Sequence, residues 1–352
     1  MTDEKLIGAK PLADYCSRLF QAVGMTREDA DINADNLVDA DLTGVESHGV
    51  SRMPIYLKRI REGVVSPRTE VFLAQGYQAS GVFDGGNGMG APVSYRVMKK
   101  VIDKAAQYGI AFFTVKNSNH FGTAAYYAKM ALEHDMIGFC ATNGPARMAP
   151  WGGSEPYFGT NPFAIAIPAN EERPIVADMA TSVVARGKII IAAKKNQTIP
   201  AGWALTKEGE STTDPQAALV GTVLPFGGPK GSAIALMIDV MSGILSGSRF
   251  GPHLNDMYGD FENPTFTSHT FAAIKIDAFT SAGQFKADID QMIREIKKNR
   301  PAENVAEIFL PGEIELRKKE ERHKTGIPLP KVVLDDLKRE GELCRVPYDL
   351  ED

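Results

Sequence analysis

Residues 92–180 alternate between segments with the pattern of helices and segments with the pattern of strands. Four apolar runs have the length and composition of strands: IAFFTV (110–115), MIGFCAT (136–142), FAIAIP (163–168) and PIVADMA (174–180). Two segments with apolar residues at helical spacing lie among them, at 92–109 and 123–135. Such alternation is typical of a sheet with helices packed on its faces, so the sequence predicts an α/β fold.

The beginning of the chain has a helical pattern instead. Thr26 and Asp29 form a Thr-x-x-Asp capping signal ahead of apolar residues at helical spacing, which predicts a helix over 26–42. A second helix is predicted over 47–63, where a glycine stops it.

The length of the chain predicts more than one lobe. A chain of 352 residues exceeds the usual size of a single hydrophobic core. We expect a helical N-terminal lobe at 1–75, joined by the C-terminal tail 305–352, and an α/β region at 76–304 that holds the binding sites.

Beyond the alternating region the pattern is less regular. Residues 185–229 are rich in Gly, Pro, Thr and Asp, which predicts loops and short elements rather than a packed helix; such loops often form active-site walls. The apolar segment 232–247 is interrupted by Asp239 and Ser242 and is shorter than the roughly 20 residues that span a bilayer, so we predict a buried core helix from 230 to 247. Three further elements are predicted: a strand at 271–276, a helix at 285–299 and a charged, solvated helix containing RKKEERHK (317–324).

Composition excludes several classes of function. The net charge of −5 and the pI near 5.8 argue against a protein that coats nucleic acid, but leave room for small acidic substrates. The cysteines, Cys16, Cys140 and Cys344, are far apart, which supports neither a disulfide framework nor a zinc cluster and fits a reducing compartment. The N-terminus lacks the pattern of a signal peptide, so we expect a cytoplasmic protein without a membrane partner. The six histidines are scattered and H-E-x-x-H is absent, so no metal site is predicted.

A glycine-rich segment at 86–91, Gly-Asn-Gly-Met-Gly-Ala, matches the dinucleotide-binding pattern G-x-G-x-x-A. That pattern requires a strand before it and an acidic residue about 20 positions later, at the end of the next strand. The preceding ASGVF (79–83) is a poor strand, and the strand at 110–115 ends without an acid. We therefore interpret 86–91 as a flexible loop that leads into a helix.

His120 lies in KNSNHFG (116–122), just beyond the carboxyl end of a predicted strand. Open α/β sheets place their ligands in that region. A histidine there can give or take the proton of a hydroxyl or carbonyl group. The residues alone equally allow a helix-capping loop with an incidental histidine.

A second histidine lies in ESHGVSR (46–52). His48 and Arg52 are four residues apart, so on a helical turn they would face the same side. One could transfer a proton and the other could bind a carboxylate, for which arginine has a matching planar fork. An exposed helix start with ordinary charges explains the segment equally well.

Three other polar segments are candidates for a site. The turn Gly159–Pro162 leads into a strand, and Asp178–Ser182 closes one, either as the rim of a site or as an ordinary capped end. Lys230 and Gly231 open the helix at 230–247, where a cation and free backbone N–H groups would favour phosphate. A Walker pattern is excluded, because Leu224 and Pro229 stand where its glycines should be.

Taken in order, seven segments resemble one family: SHGVSR (47–52), NSNHFG (117–122), GTNPFAIAIP (159–168), DMATS (178–182), IPAGWA (199–204), TTDP (212–215) and PKGS (229–232). The chain resembles the malate/L-lactate dehydrogenase family of NAD(P)-dependent oxidoreductases from about residue 10 to 340. That family includes ureidoglycolate and sulfolactate dehydrogenases, diketogulonate reductase and piperideine-carboxylate reductase. The resemblance implies a non-Rossmann α/β fold, with a mixed sheet, flanking helices and a helical N-terminal lobe, and it implies a homodimer.

The resemblance also implies roles for individual residues. His120 matches the histidine described as the acid/base in several members, His48 matches the one assigned as proton donor in others, and Asp178 matches an acid that can pair with the latter. The implied substrate-binding positions are Arg52, for the carboxylate, with Ser47, Thr160 and Asn161. The implied coenzyme-binding positions are Asp178, Met179, Ala180, Thr181, Lys230, Gly231, Gly312, Glu313 and Glu315. The implied coenzyme is NAD or NADP, with NAD slightly preferred.

The resemblance thus implies hydride transfer between a nicotinamide and a small 2-hydroxy or 2-oxo acid of the malate, lactate or ureidoglycolate type. Two alternatives stay open. One is a cyclic imine reductase of the piperideine-2-carboxylate type, which needs the same carboxylate-binding arginine but protonates nitrogen. The other is a catalytically silent nucleotide-binding dimer.

Overall fold

The computed structural model describes residues 4–350. Its helices are α1 (Ala9–Ala22), α2 (Arg27–Leu42), α3 (Met53–Arg61), α4 (Gly90–Tyr108), α5 (Ala124–Ala128), α6 (Arg186–Lys194), α7 (Pro215–Val220), α8 (Pro229–Asp239), α9 (Ala282–Lys297), α10 (Glu313–Thr325) and α11 (Lys331–Cys344). Its strands are β1 (Glu4–Ile7), β2 (Phe72–Gly76), β3 (Ser80–Asp84), β4 (Ile110–Ser118), β5 (Met136–Thr142), β6 (Phe163–Ile167), β7 (Ile175–Met179), β8 (Ala204–Leu205), β9 (Ser211–Thr212), β10 (Thr222–Val223), β11 (Thr267–Lys275) and β12 (Ile327–Pro330).

A seven-stranded mixed sheet forms the centre of the fold, in the order β2-β3-β4-β11-β5-β6-β7. Strands β3 and β4 are parallel and are joined by α4, whereas the other neighbours are antiparallel. The predicted α/β class with a mixed sheet and flanking helices is confirmed. The assessment of ASGVF as a poor strand is wrong, because residues 80–84 form β3 and pair with the middle of β4.

This topology brings the ends of several strands to one edge of the sheet. Strands β4 and β5 lie on either side of antiparallel β11, so both end where β11 begins: Ser118 lies opposite Thr267, and Thr142 lies opposite His269. The same edge holds the ends of β3 and β7 and the start of β6, as the pairs Asp84↔Lys116, Ala141↔Phe163 and Phe163↔Met179 show. The loops that follow or precede these strands therefore meet at this edge.

The first three long helices share a core with the C-terminal elements. Strand β1 pairs with β12, with Ile7 opposite Ile327. The side chains of Leu19 and Leu37 are buried in the same cluster as Leu337 of α11. At the start of α2, Thr26 accepts a hydrogen bond from the Asp29 N–H (3.2 Å), which confirms the predicted cap.

One arginine of α3 fixes the loop at 255–263, called here the cover loop. Arg59 is buried and donates to the carbonyl oxygens of Met257 (3.0 Å), Asp260 (2.6 Å) and Asn263 (3.1 Å). These three carbonyl oxygens accept hydrogen bonds from the Nη groups of the guanidinium, and these bonds offset the cost of burying its charge. The cover loop is therefore held firmly against the helical part of the molecule.

Short elements on either side of β6 and β7, together with Ala235 of α8, build a third, smaller core, which the sequence did not indicate. Met148, Ile189, Ala204 and Val223 are buried in it. Helix α6 contributes Ile189, so the prediction that 185–229 lacks a packed helix is wrong. The apolar residues of this core come from several short elements, and their irregular spacing explains why no periodic pattern was visible.

Helix α8 continues into a π-helical turn at 240–244 and is buried on one face alone. Ala235 and Ile238 face the interior. The opposite face, called here the α8 stripe, consists of Leu236, Met237, Val240, Ile244 and Leu245, whose exposed fractions run from 41% to 56%. The prediction of a buried core helix at 230–247 therefore holds for one face of the helix and is wrong for the other. No helix within residues 4–350 is both long enough and apolar enough to cross a membrane.

Candidate active site

A narrow cleft opens at the edge where the strand ends meet. It is lined by His120, Phe121, Thr142, Asn143, Gly144, Pro145, Met257, Thr265 and Thr267. These residues come from the loops after β4 and β5, from the cover loop and from the start of β11. Its position is the one that the strand ends dictate.

His120 lies two residues beyond the end of β4, in the predicted position relative to the sheet edge. Its Nδ1 is 2.5 Å from the hydroxyl of Tyr56, and the Gly122 N–H points at the same nitrogen (3.4 Å). Nδ1 is thus engaged by the protein. Among the described residues Nε2 has no hydrogen-bond partner, so it is the ring nitrogen left for a ligand.

Tyr56 is a residue that the sequence analysis missed. It is buried on α3, and burial raises the pKa of its hydroxyl to about 12, so it stays protonated at neutral pH. A phenol can donate to Nδ1 or accept from it, and it therefore supports either imidazole tautomer. The signal was present in the spacing, since His48, Arg52 and Tyr56 follow one another at intervals of four.

A buried histidine of β11 connects the ends of the two neighbouring strands at this edge. His269 of β11 is fully buried, with Nδ1 2.8 Å from the Thr142 hydroxyl and Nε2 2.8 Å from the Ser118 hydroxyl. Its ring stacks on that of Phe121, with centroids 4.5 Å apart. His269 thus links the ends of β4 and β5, and both of its ring nitrogens are used within the protein.

The glycine-rich segment 86–91 supports the His120 loop. Gly90 is the first residue of α4, and a Cβ atom built on it would lie 2.2 Å from the carbonyl oxygen of Asn119 and 2.3 Å from that of His120. Asn119 in turn donates to the carbonyl oxygens of Asn87 (3.3 Å) and Gly88 (2.9 Å). The segment packs tightly under the loop, so the interpretation of 86–91 as flexible is wrong, although the loop does lead into a helix.

His48 and Arg52 lie on two short 3₁₀ turns, not on the continuous helix predicted over 47–63. The chain breaks at Gly49, which is extended, and α3 begins only at Met53. Asp41 of α2 is the cause: its carboxylate accepts the Val50 N–H (2.8 Å) and lies 1.8 Å from where a Cβ on Gly49 would be. A side chain at position 49 would therefore displace both functional residues.

The two predicted histidines meet beside the cleft, which His120 lines. The rings of His48 and His120 are stacked at a centroid distance of 5.4 Å. The Nδ1 of His48 is 3.0 Å from the Ser47 hydroxyl, and Arg52 Nε donates to the Ser47 carbonyl oxygen at 2.6 Å. Three of the predicted residues therefore form one connected group beside His120.

The guanidinium of Arg52 has no carboxylate partner within residues 4–350. It lies over the ring of Tyr258 in the cover loop, 5.6 Å from the centroid, and only its Nε is used in a hydrogen bond. Both Nη groups remain available. An arginine beside a cleft, without an anionic partner, is a strong position for a carboxylate ligand.

Burial and positive charge keep both imidazoles neutral. Burial in the cleft, with Arg52 adding repulsion, lowers the pKa of His48 to about 4. Burial, then Arg52, then His48 hold the pKa of His120 well below its ordinary value. At neutral pH each ring can therefore accept a proton, and an anion on Arg52 would remove part of the repulsion.

Asp178 does not pair with His48. Its carboxylate accepts the N–H of Ala125 (2.8 Å) in the first turn of α5, and no hydrogen bond or ion pair joins it to His48 in the described part of the chain. Desolvation of the carboxylate by the surrounding protein raises the pKa of Asp178 to about 6. The hydrogen bond from Ala125 N–H acts in the opposite direction. The expectation that Asp178 supports His48 directly is therefore wrong for this structure.

Two of the predicted substrate residues are organised by hydrogen bonds. Asn161 is fully buried, with Oδ1 accepting from Gly144 N (3.2 Å) and Nδ2 donating to Ala235 O (2.9 Å). The carbonyl oxygen of Thr160 accepts from both the N–H and the hydroxyl of Thr181 (2.8 Å each). The Asn161 side chain thus supports the Gly144 loop of the cleft instead of facing it, and Thr181 is a buried anchor for the predicted coenzyme segment.

The predicted coenzyme segments lie next to one another along the same edge. Val176 N donates to Pro311 O (3.0 Å), which joins β7 to the turn before α10. A Cβ on Gly231 would lie 2.8 Å from Thr181 O, which places the start of α8 against the end of β7. Met179 and Glu315 are exposed, and the charge of Glu315 contributes to the raised pKa of Asp178, so these two acids are neighbours.

Lys230 lies at the start of α8, as predicted, but the backbone N–H groups around it are already hydrogen-bonded within the protein. The N–H groups of Lys230, Gly231 and Ser232 donate to carbonyl oxygens in the preceding turn (3.4, 3.0 and 3.2 Å), so the expectation of free N–H groups is wrong. The ammonium of Lys230 has no acidic partner among the described residues. A phosphate would be bound there by the side chain alone.

Glu313 also differs from its predicted role. It is buried, forms ion pairs with Lys297 (2.6 Å) and Arg317 (2.5 Å), and accepts from Leu310 N (3.2 Å). Its carboxylate therefore stabilises the turn and is not available to a ligand. Gly312 has a φ of +84° and packs against Val176, where a Cβ would meet the carbonyl oxygen at 2.7 Å.

The remaining donor set fits a dinucleotide. Lys230 can hold phosphate, whereas Asp178 and Glu315 can accept hydrogen bonds from ribose hydroxyls. Gly144 has open space where its Cβ would be, so the backbone can approach a ligand closely. Within the described part of the chain no group of three His, Cys, Asp or Glu side chains is arranged to hold a metal ion.

The mixed sheet and the cleft with its paired imidazoles define an α/β enzyme with acid–base groups in its site. Comparison with known proteins makes the class specific: the family model described as malate/L-lactate dehydrogenase matches residues 7–338, and the chain belongs to this family. It is an oxidoreductase.

L-sulfolactate dehydrogenase of Methanocaldococcus jannaschii is 41% identical over 93% of this chain and 92% of that protein, and malate dehydrogenase of Pyrococcus abyssi is 40% identical over 93% and 91%. The solved structure of the former enzyme aligns with a TM-score of 0.92 at 38% identity, covering 97% of this chain and 98% of that one.

More distant relatives differ in the coenzyme that their names state. A (2R)-3-sulfolactate dehydrogenase (NADP⁺) of Chromohalobacter salexigens is 32% identical over 95% of this chain and 97% of that protein. A ureidoglycolate dehydrogenase (NAD⁺) of Escherichia coli K12 is 33% identical over 91% and 90%. Dependence on a nicotinamide coenzyme is thus common to these relatives, while the choice between the two forms varies.

Proposed function

We propose that this enzyme catalyses the reversible oxidation of a small 2-hydroxy acid to the 2-oxo acid, with NAD as the preferred coenzyme. The observation that carries the proposal is the unpaired Arg52 beside two stacked, neutral imidazoles at the sheet edge. A carboxylate on Arg52 would place the neighbouring carbon and its oxygen within reach of the histidines. The alternatives left open by the sequence are tested by the substrate panel below.

Arg52 orients the substrate. Its two free Nη groups match the two oxygens of a carboxylate, and the Nε bond to the Ser47 carbonyl oxygen (2.6 Å) fixes the plane of the guanidinium. The ring of Tyr258 limits its movement on one side. The substrate carboxylate is therefore held in one direction before any chemistry occurs.

His120 carries the proton. In the tautomer in which the Nδ1–H donates to the Tyr56 hydroxyl, Nε2 is unprotonated, so it takes the hydroxyl proton during oxidation and returns it to the oxygen during reduction. When protonated, the same ring stabilises negative charge on the substrate oxygen. The nicotinamide, when bound, supplies the site that accepts or donates the hydride. His48 stacks on His120, and we assign it to shaping the cleft rather than to the proton transfer itself.

The preference for NAD is supported by the charges of the coenzyme segments. Lys230 is a single cation suited to the pyrophosphate, and Glu313 neutralises Lys297 and Arg317 nearby. A 2′-phosphate needs a further cation, typically an arginine. The buried, unbridged Cys16 and Cys140 fit a reducing compartment, and we place the enzyme in the cytoplasm.

The decisive experiment is a panel of coenzymes and substrates followed by NADH or NADPH absorbance. We expect oxidation of NADH by at least one small 2-oxo acid and reduction of NAD by its hydroxy acid. Turnover with cyclic imine carboxylates alone would establish the imine reductase instead. Binding of NADH without turnover on any member would establish the silent nucleotide-binding protein.

The low pKa of His120 predicts different pH profiles for the two directions. Oxidation needs the neutral ring, which free enzyme already has, so kcat/KM for the hydroxy acid should be flat between about pH 6 and 9. Reduction needs the protonated ring, so kcat/KM for the oxo acid should fall about tenfold per pH unit over the same interval. Steady-state rates in constant-ionic-strength buffers measure both. An oxidation profile that rises throughout this interval would show that the proton acceptor is another group.

The support of His120 by the glycine segment gives a second prediction. In Gly90→Ala the new methyl group would push against the Asn119 and His120 carbonyl oxygens, and we expect kcat/KM to fall by about 10²-fold because His120 is displaced. The control is Gly283→Ala on α9, where the nearest atom to a Cβ is Ser281 Oγ at 3.8 Å, with no effect expected. Kinetics and the Tm of both variants are measured. Unchanged kinetics in Gly90→Ala would show that the loop position is not critical.

We further propose that the enzyme is a homodimer and that the α8 stripe takes part in the interface. Five contiguous apolar side chains with exposed fractions of 41–56% are an unusual surface for a monomer, and a second copy could cover them. Light scattering after gel filtration should give twice the chain mass. The double variant Leu236→Lys, Ile244→Lys should give the single mass, whereas a monomeric starting protein would refute the proposal.

A further inference from the structure

The charged run of α10 is not exposed to solvent on all sides. Lys318, Lys319 and Arg322 are partly buried, whereas Glu320 and Glu321 between them are exposed. Residues three and four apart lie on the same side of a helix, so the three partly buried cations share one face of α10. The prediction of a solvated helix is therefore wrong for this face, and the mechanism above gives it no role.

Two contacts fix this face beside the end of α2. The ammonium of Lys319 lies 2.5 Å from the carboxylate of Asp39, a buried residue of α2 that also pairs with Lys129 (2.9 Å). Lys318 packs over Gly44, where a Cβ would lie 2.6 Å from the lysine side chain. The middle of α10 is therefore held just before the turn that carries the substrate-binding arginine.

Arg322 connects α10 to that turn itself. Its Nη1 donates to the carbonyl oxygen of Asp41, and its Nη2 donates to the carboxylate of Glu46 (2.8 Å). Only 14% of the Arg322 side chain is exposed, so its guanidinium is largely removed from solvent and depends on these two acceptors. One acceptor lies at the end of α2 and the other at the start of the turn, so a single side chain fixes both.

The backbone of Glu46 holds the rest of the turn. Its carbonyl oxygen accepts hydrogen bonds from the Ser51 hydroxyl (2.9 Å) and from the Gly49 N–H (3.3 Å). The carbonyl oxygen of the next residue, Ser47, accepts the Nε–H of Arg52 (2.6 Å). The position of Glu46 therefore decides where the guanidinium of Arg52 lies, and α10 holds the Glu46 side chain.

The other end of α10 is anchored independently. Glu313, its first residue, is buried and pairs with Lys297 of α9 (2.6 Å) and with Arg317 (2.5 Å). A helix of 13 residues is about 20 Å long, so this anchor is remote from Arg322. Loss of the Arg322 contacts should therefore loosen the 46–52 turn without moving the coenzyme segments.

We propose that Arg322 is a positioning residue for substrate binding, because it fixes, through Glu46 and the end of α2, the turn that carries Arg52. This inference rests on the proposed 2-hydroxy acid dehydrogenase activity. His120 lies on the loop after β4 and does not depend on the turn for its backbone position. A loosened turn should therefore weaken substrate binding and leave the proton transfer in the bound complex nearly unchanged.

The test measures kcat and KM for pyruvate and oxaloacetate at saturating NADH in Arg322→Gln. For each acid that the enzyme reduces, we expect KM to rise about 30-fold and kcat to change by less than about threefold. Fluorescence titration should give an unchanged Kd for NADH. A loss of folded protein alone would lower kcat and leave KM unchanged, so this split separates positioning from stability.

Two variants on α10 serve as controls. Glu320 pairs with Arg173 (2.8 Å) on an exposed face, so Glu320→Gln also removes one ion pair of this helix, and neither kinetic constant should change. Arg322→Lys keeps the charge but cannot present paired donors, so its KM should lie between that of the unmodified enzyme and that of Arg322→Gln.

Glu46→Ala tests the route by which Arg322 acts. The Glu46 side chain is 52% exposed, so the variant should fold, and its KM should also rise. The double variant Glu46→Ala, Arg322→Gln should have the KM of Arg322→Gln alone, because both changes break the same contact.

Three results would overturn the inference and leave the dehydrogenase activity intact. These are an unchanged KM in Arg322→Gln, an equal rise in KM in Glu320→Gln, and a double variant in which the two single effects multiply. Absence of turnover by the unmodified enzyme with every 2-oxo acid would instead refute the proposed function itself.

Discussion

Replacing His120 with alanine should lower kcat by about 10³-fold in both directions, while NADH still binds. The reason is its position: His120 is the imidazole that lines the cleft, and its Nδ1 is held by the buried Tyr56 hydroxyl at 2.5 Å. Removing the ring removes the proton carrier without touching the coenzyme segments. Steady-state kinetics and fluorescence titration with NADH measure the two quantities. Unchanged turnover would remove His120 from the mechanism.

Two companion variants distinguish proton transfer from packing. Tyr56→Phe keeps the ring volume and loses only the hydroxyl, so it should lower kcat less than His120→Ala and shift the pH profile, because Nδ1 loses its partner. His48→Ala removes the stacked ring but not the proton carrier, so it should leave the shape of the pH profile intact. If His48→Ala instead abolishes the titration and His120→Ala preserves it, the two assignments must be exchanged.

The location of His120 could be predicted because it depends on a local pattern. A strand-length apolar run, a short polar turn and a helical pattern place the residue at the carboxyl end of β4. The structure differs in extending the strand to Ser118 and in limiting α5 to Ala124–Ala128. The partners of His120 could not be predicted in the same way. Strand β11 comes about 150 residues after β4 along the chain and yet inserts beside it, which decides that the loops after β4 and β5 share one cleft.

Other errors have the same origin, since charges and glycines act through partners distant in sequence. Glu313 was expected at the coenzyme, but Lys297 and Arg317 neutralise it inside the protein. Segment 86–91 is interpreted from the sequence as a flexible loop because ASGVF is a poor strand and no acid ends the next one, yet a Cβ built on Gly90 would lie 2.3 Å from the His120 carbonyl oxygen. Burial and non-local contact decide such roles, and one sequence displays neither.

Replacing Arg52 with lysine should raise KM for the 2-oxo acid strongly and lower kcat/KM by about 10³-fold, although the charge is retained. Lysine cannot present two parallel N–H groups to a carboxylate, and it loses the Nε bond that Arg52 makes to Ser47 O. The substrate would then be held at one point and would rotate away from His120. The matched control is Arg27→Lys, an exposed position (85% of its side chain) where no effect is expected.

Removing the charge at position 52 should also change the pKa values of the two histidines. In Arg52→Met the repulsion that helps lower the pKa values of His48 and His120 is gone, so both should rise. Burial is the larger cause for each and persists, so the pKa values should stay below the ordinary range. Histidine signals followed by NMR across a pH titration measure this without any turnover. A loss of activity without movement of either pKa would mean that Arg52 acts through the fold of the 46–52 turn and not through its charge in the cleft.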